Sequence, residues 1–88
     1  MSAKENGNGA VKTPYKEALV LLGERVLLGR RRLAMDQSDL AEACNARKLT
    51  TLTRQRISDI ECGKTEATWL EVQAIADVMS KDLNEFRV

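Results

Sequence analysis

Apolar positions in this chain recur at helical spacing, and no stretch of four or more residues alternates convincingly enough for a strand. Thr13-Pro14 supplies an N-cap followed by proline at the first helical position. From there Leu19, Leu22, Val26 and Leu33 fall three, four and seven residues apart, along one stripe of a first helix. Arg30 lies on the same stripe, where a charged group needs a carboxylate beside it. Asp36 caps a second helix, with Asp39 and Glu42 near its positive end and Leu40, Ala41 and Cys44 on its inward face. Asn45 is suited to the left-handed conformation that would end it. Thr53 opens a third helix whose Ile57, Ile60 and Glu61 share a face, and Gly63 stops it. Thr68-x-x-Glu71 is a capping box for a fourth helix, with Trp69, Val72, Ile75, Ala76 and Met79 expected inward. Asp82-x-x-Glu85 repeats the device for a short fifth helix carrying Leu83 and Phe86. The expectation is an all-α fold of five helices.

Residues 1–12 hold two Asn-Gly pairs and only scattered apolar residues, which predicts a disordered N-terminal tail and a single domain over 13–88. At 88 residues the chain is near the lower end of what buries a self-sufficient core. It has no His, and its two cysteines, Cys44 and Cys62, form no Cys-x-x-Cys. Zinc sites and His-based nucleophilic triads within the chain are thereby excluded, and neither an enzyme nor a bound cofactor is expected. The longest apolar stretch, Ala18 to Leu28, is broken by Glu24 and Arg25 and is too short to span a bilayer. Nothing resembles a signal peptide, so the expectation is a soluble cytoplasmic protein with both thiols reduced. The net charge is only +1, yet the front and middle of the chain are basic and residues 66–88 acidic. Such a dipole steers a polyanion to one face, or is simply a solvated surface.

Two runs decide between these. Asp36-Gln37-Ser38-Asp39-Leu40-Ala41-Glu42-Ala43-Cys44-Asn45, followed by Ile57-Ser58-Asp59-Ile60-Glu61-Cys62-Gly63-Lys64, resembles the lambda-repressor-like (XRE) helix-turn-helix family. Leu22 to Val26 and Arg30 before them, and Ala74 to Met79 and Leu83 to Phe86 after them, extend the likeness over about residues 19–87. The resemblance implies that Arg30 pairs with Glu61, and that Gln37, at the exposed start of the second helix, holds a DNA phosphate together with that helix's N–H groups. It also implies that the third helix enters the major groove of double-stranded DNA. By position Arg54, Gln55, Ser58 and Asp59 face outward on that helix. Arg54 suits guanine O6 and N7 and Gln55 suits adenine N6 and N7, with Ser58 a weaker base reader. Asp59 must find a cytosine N4 donor or be neutralised within the helix by Arg56, the pairing we expect. Thr53 and Lys64 are expected phosphate contacts.

The chain departs from the family at Ala46 to Thr51, an enlargement of the usual tight turn. This segment either lengthens the second helix or forms a loop, with Arg47 and Lys48 touching phosphate or solvated. Ala67 stands where the family often has Pro, and Ser80 where it often has Gly. Gly63-Lys64-Thr65 looks like the end of a phosphate-binding loop, but Ser58 occupies the place of its first glycine. The expected function is that of a sequence-specific transcriptional regulator of repressor type, homodimeric because one module reads only a half-site. Val20, Leu21, Leu27 and Leu28 with Phe86 and Val88 are the candidate dimer surface, unless the fifth helix covers them. The alternative on the same fold is an antitoxin that binds a toxin, or an adaptor that binds another protein.

Overall fold

The computed structural model describes residues 13–88, so the expected tail over 1–12 lies outside the described residues. The described chain is all-helical, with helices α1 Pro14–Arg32, α2 Gln37–Asn45, α3 Arg54–Glu61 and α4 Trp69–Val78, and no strand. The expected fifth helix is a single four-residue 3-10 turn, Leu83–Phe86. None of these helices is long and apolar enough to cross a membrane.

Local chemistry sets the helix starts. Thr13 accepts a hydrogen bond from the Lys16 amide and Pro14 occupies the first turn of α1. Asp36 with Asp39, Thr68 with Glu71, and Asp82 with Glu85 each close a reciprocal capping box. Gly63, at φ +72°, ends α3 in the left-handed region open to glycine.

Between the helices, Val26, Leu40, Ala41, Cys44, Leu52, Ile57, Ile60, Ala74, Ile75, Ala76, Met79 and Phe86 make one buried cluster. Leu40, Ile57, Ile60 and Ile75 are fully buried, each worth roughly 1.5–3 kcal/mol relative to exposure. α1 crosses the end of α3 at Gly23, where an added Cβ would stand 2.4 Å from the Glu61 carbonyl oxygen and 2.6 Å from that of Ile60. At Gly29, α1 meets the end of α4, where a Cβ would come within 2.4 Å of the Met79 sulfur.

Four expectations are corrected. Trp69 is 64% exposed: it is the first residue of α4, beyond the reach of the cluster, which the later turns of that helix join through Ile75, Ala76 and Met79. Leu33 is exposed because the chain leaves the helix there, Leu33 being the C-cap of α1. Phe86 is buried against the cluster and is therefore no part of a dimer surface, whereas Val88 is exposed. Asn45 stays helical, and Lys48 takes the left-handed backbone at φ 63°.

Asn45 has another task. Its side-chain amide donates to the Leu52 carbonyl at 2.7 Å and accepts from the Leu52 amide at 2.8 Å and from the Thr50 hydroxyl at 2.7 Å. Residues 46–51 therefore form a loop rather than an extension of α2, and its exit is clasped to the end of that helix.

Candidate nucleic-acid interface

The exposed start of α3 is built outward from its core anchor. Ile57 and Ile60 are fully buried, which turns the opposite face of this two-turn helix to solvent. Arg54 and Gln55 are exposed on it, and Ser58 and Asp59 are half-buried. Thr53 caps the helix, its hydroxyl oxygen accepting from the Arg56 amide at 3.1 Å. Its own O–H proton remains free to donate. Arg54 makes none of the side-chain hydrogen bonds or ion pairs found among the described residues. A shallow groove of about 470 Å³ runs between α2 and the start of α3, with Ser38 and Glu42 on one side and Thr53 and Arg54 on the other.

Two guanidinium clamps hold this face. Arg30 donates to both Glu61 carboxylate oxygens, from Nε at 2.7 Å and Nη2 at 3.0 Å, and from Nη1 to the Met35 carbonyl at 2.9 Å. The two side chains are 12% and 5% exposed, so the pair is largely shielded from water. Hydrogen bonding to Glu61 raises the Arg30 pKa above its already high ordinary value, with burial opposing and the Glu61 and Asp36 charges adding. Gln37 joins the same group, its Nε2 donating to Glu61 Oε1 at 2.9 Å. Glu61 thereby ties α1, α2 and α3 together.

The second clamp corrects an expectation. Arg56 does not bond Asp59; it turns to α4 and the segment before it. Its Nε and Nη2 donate to Glu71 at 3.0 and 2.8 Å, Nη1 to the Thr65 hydroxyl at 3.1 Å, and Nη2 to the Glu66 carbonyl at 2.7 Å. A carboxylate three residues away within the same helix would satisfy fewer of its donors, and a bidentate pair is the stronger geometry. Burial alone would lift the Glu71 pKa. The Arg56 bonds and charge and the Thr68 amide outweigh that, and hold it below the ordinary carboxylate value. Asp59 instead accepts from Gln55 Nε2 at 3.0 Å, an i, i+4 contact whose spacing is visible in the sequence.

The remaining expected contacts are scattered. Gln37 sits at the start of α2 but spends one of its two N–H groups on Glu61, and the Asp36–Asp39 box already places two carboxylates at that helix end. Lys64 is exposed just past the end of α3. Arg47 pairs with Asp77 of α4, which draws it away from the α3 face, while Lys48 is exposed on the same loop. The structure thus gathers Thr53, Arg54, Gln55 and Ser58 in the first turns of α3, the last three turned from its core side, and engages Arg47 with α4. Thr65, in the segment that imitates a phosphate-binding loop, is occupied by Arg56. Cys44 is buried, which pushes its thiol up to about 11, with the Glu71 charge adding; Cys62 is exposed at the end of α3. No group of three or more His, Cys, Asp or Glu among the described residues could hold a metal ion. No protein-family model, curated protein or solved structure matches the chain.

Proposed function

We propose that this protein is a sequence-specific DNA-binding regulator of repressor type, folded as a lambda-repressor-like helix-turn-helix domain, with α3 as its recognition helix. The observation that carries this reading is the start of α3. An exposed Arg54 stands beside Gln55 and Ser58 on a face whose back, Ile57 and Ile60, is locked in the core. Arginine and glutamine are the side chains that read guanine and adenine bidentately, each good pair discriminating by roughly 1–3 kcal/mol. The Arg30–Glu61–Gln37 group supports it by fixing the angle between α2 and α3, as a helix presented to a groove requires. Thr53, Gln37 and Lys64 then supply phosphate contacts that set the register.

An apolar row on α1, Val20, Leu21 and Leu28, is 42–57% exposed and favours a protein contact in addition to DNA. Our reading assigns it to a second copy of the chain, so that two recognition helices meet two half-sites. The second reading assigns it to a toxin or other protein partner. Selection from a randomised duplex pool at near-physiological salt separates them. A two-fold-symmetric motif supports the dimeric regulator, and an asymmetric half-site removes the dimer. No enrichment at any salt replaces the DNA reading with the partner-binding one.

A further inference from the structure

We propose that Asp59 is a positioning residue that sets the base preference of Gln55, making it a reader of adenine; the inference rests on the DNA-binding reading above. A glutamine amide carries a donor edge and an acceptor edge, and an unrestrained one turns either toward a base. An ionised carboxylate only accepts. With Gln55 Nε2 donating to Asp59 Oδ1 at 3.0 Å, the nitrogen is held toward Asp59 and Oε1 is fixed on the other side. One N–H is used in this contact. The second N–H and Oε1 remain, the donor–acceptor pair that matches adenine N7 and N6 in the major groove.

Charge acts in the same direction. Arg56, three residues before Asp59, spends its hydrogen bonds on Glu71, Thr65 and Glu66 and makes none to the Asp59 carboxylate, although the two charges attract. The patch made by Gln55 Oε1 and Asp59 is therefore rich in acceptors. Guanine presents N7 and O6, both acceptors, and thymine presents O4, so each is repelled; adenine and cytosine both offer an amino donor, and adenine alone adds the N7 acceptor for the second Gln55 N–H. Arg54, one residue earlier, supplies the complementary preference for guanine. The half-site expected of this helix places a guanine and an adenine close together.

The test compares the protein with its Gln55→Ala, Asp59→Ala and Asp59→Asn variants on the duplex selected from a random pool. It measures dissociation constants for every single-base change in one half-site. Gln55→Ala identifies the position that Gln55 reads. At that same position Asp59→Ala should reduce a roughly tenfold preference for adenine over guanine to about twofold, leaving the Arg54 position unchanged. Asp59→Asn, whose amide donates as well as accepts, no longer dictates which way the Gln55 amide turns and should also lose most of the preference. Three results overturn the proposal: Asp59→Ala tightening all duplexes alike, its acting at a different base position, or its leaving the preference intact. The first makes Asp59 a source of repulsion only, and the second a direct base reader. A random pool with no enriched sequence for the wild-type protein defeats the DNA-binding reading itself, and this inference with it. Gln55 is exposed and Asp59 half-buried on α3, so thermal midpoints within a few degrees of wild type confirm that the variants report on reading and not on folding.

Discussion

Replacing Glu61 by alanine removes the acceptor on which three donors converge: Arg30 Nε, Arg30 Nη2 and Gln37 Nε2, at 2.7, 3.0 and 2.9 Å. What remains for the Arg30 guanidinium is the Met35 carbonyl at 2.9 Å. Stranding one member of a buried ion pair costs about 3–5 kcal/mol. Arg30 keeps that carbonyl and 12% of its side-chain surface in water, which places the expected loss near the bottom of the range, about 3 kcal/mol. For a domain of this size, that corresponds to a fall in Tm of roughly 12–24 °C. Urea denaturation followed by far-UV circular dichroism should show the midpoint moving with little change in slope, since the surface exposed on unfolding is nearly unchanged. Exchanging both partners for methionine should recover much of the loss, because no charge is then left without a partner. A Glu61→Ala midpoint indistinguishable from wild type would refute the reasoning. So would a double variant no more stable than either single one.

Acidification should destabilise the domain through Glu71. Its pKa is held below the ordinary 4.5 in the folded chain, so its contribution is complete above that value and is lost as pH falls through the depressed one. Arg56→Met should flatten this loss in urea midpoints taken between about pH 6 and about pH 3, and an unchanged acid slope would show that Arg56 does not hold the carboxylate. Gly23→Ala should cost roughly 2–3 kcal/mol, because the new methyl meets backbone carbonyls of α3. Gly29→Ala meets only the flexible Met79 side chain and should be far milder, since the better helix propensity of alanine offsets the contact; equal thermal midpoints for the two would contradict the close α1–α3 crossing. Finally, a thiol reagent at mildly alkaline pH should modify exposed Cys62 promptly and Cys44 only after unfolding. Two thiols reacting at one rate would mean that Cys44 is not sealed in the core.

What the sequence discloses here is what its neighbours in sequence decide. The caps at Thr13, Asp36, Thr53, Thr68 and Asp82 each depend on residues within a single turn, and all are present. The Arg30–Glu61 pair spans 31 positions, yet a charged residue on an apolar stripe narrows its partner to a carboxylate facing the same core. Arg56 carries no such mark. It sits off the stripe, within reach of Asp59 in its own helix, and only packing brings Glu71 close enough to take it. The Trp69 error has a related origin: helical spacing assigns a residue to a face but says nothing of whether a neighbouring element reaches that turn. Gly23 is a backbone crossing of two helices, which leaves no sign in the periodicity of either.

The clasp that Asn45 makes on Leu52 turns the enlarged turn into a closed excursion whose entrance and exit are fixed by one side chain. Its length is thereby uncoupled from the direction of α3. Doubling the number of residues in a flexible loop costs only about 0.6 kcal/mol in closure entropy. The Arg47–Asp77 pair it would disturb is a solvated one, worth about 0–1 kcal/mol. Residues 46–51 are therefore a port in the scaffold, where a peptide or a second binding element can be carried beside α3 without turning that helix.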